Sequence, residues 1–249
     1  MHDIGVADAA MNNAAWCDAM CSAHGSPGHF FDSHWVTRAP APPLHPDLVT
    51  FDSAPGPAMA AIRELDRARP SGSWAVKDSF GALPLAQSGF RLLFGAEWIA
   101  RPPLTRRSGR GSPDRRWLRV RSESALSAWE AAWGGSAEQP RLFLPALLAR
   151  REIAILAAVD ESGAITAGVV ANRADDAVGL TNFFEHGRSD GSARAECVDA
   201  AGDAFPGLAM VGYESGHSLA ECHALGFVSI GSLQVWVRSH AHGRSTVNA

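Results

Sequence analysis

In the second half of the chain, apolar positions recur in two rhythms, either every second residue or every third and fourth. Residues 117–120 alternate as a short strand, and Ser122 or Ser124 then caps a helix whose Leu126, Trp129 and Trp133 share one face. Gly134-Gly135 ends that helix. Leu142, Leu144, Leu147 and Leu148 predict a second helix over 142–150. The β-rich run 153–159, the turn Asp160-Glu161-Ser162-Gly163 and the run 164–170 read as a hairpin. A fourth strand covers 178–184, and a helix follows over 193–204. Pro206-Gly207 breaks the chain before a strand over 208–213, a short helix over 218–225, the pair Gly226-Phe227 and a last strand over 228–238. The order β-α-α-β-β-β-loop-α-β-α-β predicts a mixed α/β (α+β) fold with a central sheet flanked by helices.

The first hundred or so residues repeat the end of this pattern in shortened form. Residues 48–51 predict a strand, Ser53-Ala54-Pro55-Gly56-Pro57-Ala58 stands in the loop position, 59–67 predict a helix and 74–77 the next strand. A short helix through Ala86, the pair Gly89-Phe90 and a strand with Trp98 ending at Arg101 complete it. Gly89, Phe90 and Arg101 recur as Gly226, Phe227 and Arg238 at one offset of 137 residues, whereas the loop glycines Gly56 and Gly191 lie 135 apart. Pro102, Pro103, Gly109, Gly111 and Pro113 mark a break between the copies. The expected organisation is a partial, degenerate unit over 1–101, an Arg/Pro/Gly-rich linker over 102–114, a complete unit over 115–240 and a tail over 241–249.

Composition narrows the function classes. With 249 residues, 46% apolar and 19% charged, the chain can bury a sizeable core. A net charge of -4 argues against nucleic acid or an anionic membrane surface as the main partner. Eight arginines fall between Arg101 and Arg121, but no aromatic residue interleaves before Trp117, so they read as a solvated basic linker. No apolar run approaches the ~18 residues of a membrane span, and Met1-His2-Asp3 does not begin a secretory signal. Four cysteines without a framework spacing read as reduced thiols of a cytoplasmic protein. Lys77 is the only lysine and Tyr213 the only tyrosine, a bias expected of a GC-rich, bacterial genome.

Between the strand 178–184 and the helix 193–204 lies Arg188-Ser189-Asp190-Gly191-Ser192-Ala193. A glycine-containing turn from a strand into a helix aims unpaired N–H groups and the positive end of the helix dipole outward, which favours an anion. The spacing Arg188-x-x-Gly191-x-Ala193 after the fourth strand, with Gly226-Phe227 after the last helix, resembles the GNAT superfamily of N-acetyltransferases over about residues 115–240. The resemblance implies a GNAT-like sheet, a second, partial GNAT-like unit at the N-terminus, and acetyl-CoA or another acyl-CoA as cosubstrate. It places the pyrophosphate on Arg188, Ser189, Asp190, Gly191, Ser192 and Ala193, and the pantetheine arm along Phe183, Phe184 and Glu185, opposite Gly212 to Glu214. Asp190 opposes an anion unless its carboxylate turns to cap the helix. In the N-terminal unit Ser53 replaces the loop arginine and Pro55 and Pro57 remove amides, so no cradle is expected there.

Acyl transfer to an amine needs a base for the ammonium proton and an acid for the leaving thiolate. Glu185 and Glu214, ending the fourth and fifth strands, are the candidate bases, with His186 and His223 as further titratable groups. Many members of the family carry a tyrosine four residues before the Gly-Phe pair, and Cys222 holds that place here. A thiol of pKa ~8.5 can protonate a CoA thiolate, or simply pack as a small apolar residue. Cys17, Cys21 and His24, followed by His29 and His34, match no common zinc spacing, so no metal is expected. Two functions remain: an N-acyltransferase for a small-molecule amine, or a non-catalytic acyl-CoA-binding sensor or interaction protein. The intact loop favours the first; Asp190, Cys222 and the degenerate N-terminal unit favour the second.

Overall fold

The computed structural model describes residues 4–69, 71–103, 115–134, 140–187 and 191–239. Most of the expected linker, the tail, and Arg188, Ser189 and Asp190 of the loop lie outside the described residues. The first half forms α1 (Val6–Ala23), β1 (His29–Phe30), β2 (His34–Val36), β3 (Leu48–Thr50), α2 (Pro55–Ala68), β4 (Ser73–Asp78) and β5 (Arg91–Arg101). The second half begins with β6 (Arg116–Arg119), α3 (Glu123–Trp133), β7 (Ile153–Val159), β8 (Ile165–Ala174) and β9 (Ala177–Glu185). It ends with α4 (Ser192–Ala204), β10 (Ala209–Glu214), α5 (Gly216–Ala224) and β11 (Val228–Ser239).

Local signals explain most boundaries. Ser122 Oγ accepts the Ala125 amide at 3.2 Å to start α3, and Gly134 at φ 118° stops it. Pro55 opens α2 in its first turn, where a missing N–H costs nothing. The helix expected over 142–150 is instead a single 3-10 turn, Pro145–Ala149. Proline is confined to a first turn, and the Glu130 carboxylate accepts the Leu142 and Phe143 amides at 2.5 and 3.2 Å, holding the chain ahead of Pro145 outside any helix. The strands β1 and β2 were not expected; they add two short strands at one edge of the sheet.

The described strands form one 11-stranded mixed sheet in the order β1-β2-β3-β4-β11-β5-β10-β9-β8-β7-β6. Two pairs are parallel, β3 with β4 and β9 with β10. Apart from β6 at one edge, the order is symmetric about the β5–β11 contact, yet β4 pairs with β11 and β10 with β5. Each half of the chain thus inserts its last strand beside the parallel pair of the other half. The exchange reaches the side chains: the Arg101 guanidinium lies 5.6 Å from the Phe227 ring, and that of Arg238 lies 5.4 Å from Phe90. The break at 102–114 divides the sequence but not the sheet.

Period-two alternation sends the apolar residues of β7 to both faces. Ile153, Ile155 and Ala157 pack with Trp16 and Met20 of α1 and with Leu126 and Trp129 of α3. Ala154 and Leu156 pack with Cys197, Val198 and Ala201 of α4 and Cys222 of α5. Helix α1 also spans the two halves, meeting Trp35 and Val49 as well as Trp98 and Val211. It is fixed by a buried amide clamp. Asn12 Nδ2 donates to the carbonyls of Asn172 and Ala177, both at 3.1 Å, and Asn172 Nδ2 donates to Asn12 O at 3.0 Å and Oδ1 at 3.1 Å. Gly179 beneath it is obligatory, since a Cβ there would stand 2.0 Å from Asn12 Oδ1.

Candidate functional site

The parallel strands β9 and β10 part company. Their ladder covers Ala177–Ala209, Val178–Met210 and Gly179–Val211, after which each strand continues without the other. A bulge in β9 helps to open the gap. Gly168 faces Phe184 and Val170 faces Thr181, so Asn182 and Phe183 share the single place opposite Val169. Asn182 takes φ 55°, a left-handed conformation that asparagine tolerates better than most residues. At the fork, the strands are so close that a Cβ on Gly212 would lie 3.2 Å from the Leu180 carbonyl. Beyond it a cavity of about 250 Å³ opens, lined among others by Leu180, Phe183, Arg194, Tyr213, Glu214 and Cys222.

Arg194, in the first turn of α4, crosses this cavity. It donates through Nη1 to Glu214 at 3.0 Å and through Nε to Glu221 at 3.0 Å, and Nη1 reaches Cys222 Sγ at 3.8 Å. Its guanidinium lies 4.2 Å from the Phe183 ring centre. Burial on its own would lower the Arg194 pKa; Glu214, Cys222 and Glu221 together raise it, so the guanidinium stays charged. Burial pushes the Glu214 carboxyl above the ordinary carboxylate range, against the pull of Arg194. Burial also pushes the Cys222 thiol up to about 11, an effect that Arg194 offsets only in part. At neutral pH that thiol keeps its proton and is an acid about as weak as a phenol of pKa ~10.

No family model and no curated protein matches the sequence. Solved structures do match the fold. A GCN5-related N-acetyltransferase from Kribbella flavida superposes with a TM-score of 0.61 at 15% identity, covering 97% of this chain and 98% of its own. One from Sphaerobacter thermophilus gives 0.56 at 11% identity, over 94% and 93% of the two chains. A tandem GNAT protein from the clavulanic acid biosynthesis pathway gives 0.51 at 12% identity, over 93% and 95%. The chain has the GNAT fold.

Within this GNAT fold the residues singled out from the sequence separate into groups. Gly191 caps α4 at φ 74°, and Gly187 before it has φ 90°. Of the expected cradle, Gly191, Ser192 and Ala193 are placed at the helix N-terminus, whereas Arg188, Ser189 and Asp190 lie outside the described residues. Arg115 donates to Ser192 Oγ and pairs with Glu196 at 3.1 Å, tying β6 to the first turn of α4. Phe183 lines the cavity, but Phe184 turns to the other face of the sheet and meets Trp129 edge-on at 5.3 Å. Glu214 and Cys222 come together around Arg194. Glu185 ends β9 outside the cavity lining, with Oε2 buried and without a hydrogen-bond partner among the described residues. His186 is bonded to the Ala132 carbonyl at 2.7 Å and His223 to Ser229 Oγ at 3.0 Å, and neither lines the cavity.

Arg194 was not singled out from the sequence. Its one signal was a basic residue in a helix first turn, where the dipole disfavours positive charge unless acidic partners compensate. Lys77, the only lysine, is 3% exposed, and its Nζ donates to Asn13 Oδ1 at 2.7 Å and lies 4.0 Å from the ring centre of Tyr213, the only tyrosine. The one lysine thus lies against Tyr213, which is also a lining residue of the cavity. Burial pushes Cys17 up to about 11 and Cys21 up to about 12, so both pack as neutral core residues. Among the described residues, no group of three or more His, Cys, Asp or Glu is arranged to hold a metal. None of the described helices is long and apolar enough to cross a membrane.

Proposed function

We propose that the chain is an acyl-CoA-dependent N-acyltransferase acting on a small-molecule amine. The observation that carries the reading is the parting of β9 and β10 beyond Gly179 and Val211. Diverging parallel strands leave backbone N–H and C=O groups facing the gap, and an extended, amide-bearing arm can pair with them as an added strand. The α4 N-terminus at Gly191, Ser192 and Ala193, with Arg188, Ser189 and Asp190 before it, would take the pyrophosphate. A cavity of about 250 Å³ has room for a short acyl group at the end of the arm, so acetyl-CoA is the donor we favour. In this reading the amine nitrogen attacks the thioester carbonyl and the C–S bond breaks. Glu214, directly or through water, accepts the ammonium proton, and Cys222 gives its proton to the departing thiolate. Glu185, at the end of β9, is the alternative base.

The N-terminal half reads as a degenerate copy of the same unit. Its parallel pair β3 and β4 is closed where β9 and β10 part, because Thr50 Oγ1 accepts the Ser79 amide at 2.8 Å. Pro55 and Pro57 also remove donors from the first turn of α2.

Calorimetric titration with acetyl-CoA and CoA tests the reading, with Gly191→Pro as the control that should abolish binding. Absence of binding at millimolar ligand would overturn it. A second reading, acyl-CoA binding without turnover, is favoured by the engagement of both Glu214 and Cys222 with Arg194. Release of free thiol against a panel of amines separates the two.

A further inference from the structure

We propose a second ligand site, at the opposite end of β10 from the cleft, for an elongated apolar molecule bearing one carboxylate, a medium-chain fatty acid in chemical class. A cavity of about 630 Å³ lies there, walled mainly by Ile4, Pro102, Pro103, Leu208, Val228 and Ile230. Its size falls within the ~300–1,000 Å³ of small-molecule sites, and it shares no lining residue with the cleft. Among the described residues two charged side chains touch it: Asp176, exposed at the rim, and Arg101, partly buried in the wall.

Arg101 is the informative one. Its Nε is buried without a hydrogen-bond partner among the described residues, and the guanidinium lies over Phe227 at 5.6 Å. Burial lowers its pKa, and Asp199 on α4 opposes that through its charge. Arg238 stands at the matching place in the symmetric sheet and shows what a completed version looks like. It lies over Phe90 at 5.4 Å, its Nε is 2.6 Å from Asp66 Oδ1, and it donates to the Ser88 carbonyl. Arg101 repeats the stacking, but among the described residues no carboxylate forms an ion pair with it. A guanidinium in the wall of an apolar cavity, stacked on a ring and with a buried Nε–H left unpaired among the described residues, has the planar fork that a carboxylate fits. An apolar chain attached to that carboxylate would cover the aliphatic walls.

The probe is decanoate, titrated calorimetrically into the full chain below its micellar range, with decanol and decyltrimethylammonium as controls. We expect one molecule per chain and decanoate binding roughly tenfold or more tighter than decanol, the worth of a charge-assisted hydrogen bond. Arg101→Gln should erase the preference for decanoate and Arg101→Lys should keep part of it. Val228→Trp, which fills the cavity from a position 59% exposed, should abolish binding of both. Gly212→Val, at the cleft, should leave decanoate binding unchanged, so this site stands or falls separately from the acyl-CoA reading. Equal affinity for decanoate and decanol, an unaffected Arg101→Gln variant, several molecules bound per chain, or no binding at all would each overturn the proposal. Arg101→Gln also removes the contact with Phe227; if that variant unfolds, Val228→Trp and Arg101→Lys decide between the outcomes.

Discussion

Replacing Arg194 with methionine removes one charge from the cleft while keeping much of the aliphatic stem. The hydrogen bonds to Glu214 and Glu221, both 3.0 Å, and the contact with Phe183 at 4.2 Å are lost together. Breaking a fully buried pair costs ~3–5 kcal/mol. Here the Glu214 and Glu221 side chains keep 30% and 18% of their exposure, so water recovers part of the loss and we expect ~2–3 kcal/mol near pH 8. The cost depends on pH, and its sign follows from Glu214. Burial already raises its folded pKa, and without Arg194 the largest opposing contribution disappears. As pH rises past the ordinary carboxylate range, the unfolded chain loses this proton before the folded one does. The unfolded state then binds fewer protons, and stability falls with rising pH until the folded pKa is passed. At pH 5 the carboxyl is closer to neutral in the folded state and needs its counter-ion less, so the loss relative to the parent should shrink to ~1 kcal/mol. Urea unfolding followed by tryptophan fluorescence at pH 5 and pH 8 measures both values. A loss equal at the two pH values, or below ~0.5 kcal/mol at pH 8, would refute the reasoning. Adding Glu214→Gln to the Arg194→Met variant should restore ~1–2 kcal/mol at pH 8, since it removes the stranded charge.

Gly212→Val places a side chain at the fork, where even a Cβ lies 3.2 Å from the Leu180 carbonyl. Acetyl-CoA affinity should fall roughly tenfold or more, and an unchanged Kd would show that the gap is not the seat. Gly179→Ala drives a Cβ to 2.0 Å from Asn12 Oδ1 and should cost ~2–4 kcal/mol by leaving buried amides unpaired; a loss below ~1 kcal/mol would mean that the clamp can move aside. All four cysteines are buried, with every thiol pKa raised, so a disulfide reagent at pH 8 should label none in the native protein and all of them in denaturant. Fast native labelling of Cys222 would reveal a thiolate that this environment does not favour. Residues 115–249 alone lack β5, the partner of β10 from Met210 to Glu214, and should not unfold cooperatively; co-expression with residues 1–103 should restore a cooperative transition.

The elements legible in the sequence were those decided within a few residues. Ser122 and Gly134 bound α3 through their own backbone and side-chain chemistry. Gly191 marks the start of α4 in the same way. The segment 142–150 misled because its leucine spacing is helical while its conformation is set by Glu130, twelve residues upstream of Leu142. Glu214 and Cys222, singled out from the ends of a strand and a helix, both line the cavity between β9 and β10. Arg194 could not, because its carboxylate partners lie 20 and 27 residues away. Phe183 and Phe184 were also indistinguishable, since alternation sends one of them to each face and the bulge at Asn182 fixes which one reaches the cleft.

The same limit explains why the division at 102–114 marks a seam in the chain and not in the sheet. β5 and β11 follow matching Gly-Phe pairs and carry matching arginines at their far ends, Arg101 as the last residue of β5 and Arg238 one before the last of β11. Nothing local distinguishes a strand that stays with its own half from one that crosses, because both arrangements bury the same alternation against a parallel pair. The long-range contacts decide it: β5 runs beside β10 from Glu97 to Arg101, and β11 beside β4 from Gln234 to Ser239. The consequence falls on the cleft. Ile99 of β5 lines it together with Phe227, and the ladder that holds Glu214 in place is made with Glu97 of the first half. A half whose own parallel pair is closed by Thr50 and Ser79 therefore still shapes the open one, through the strand it lends. Substitutions in β5 should be felt at Glu214 even though the two lie on opposite sides of the chain's one evident break.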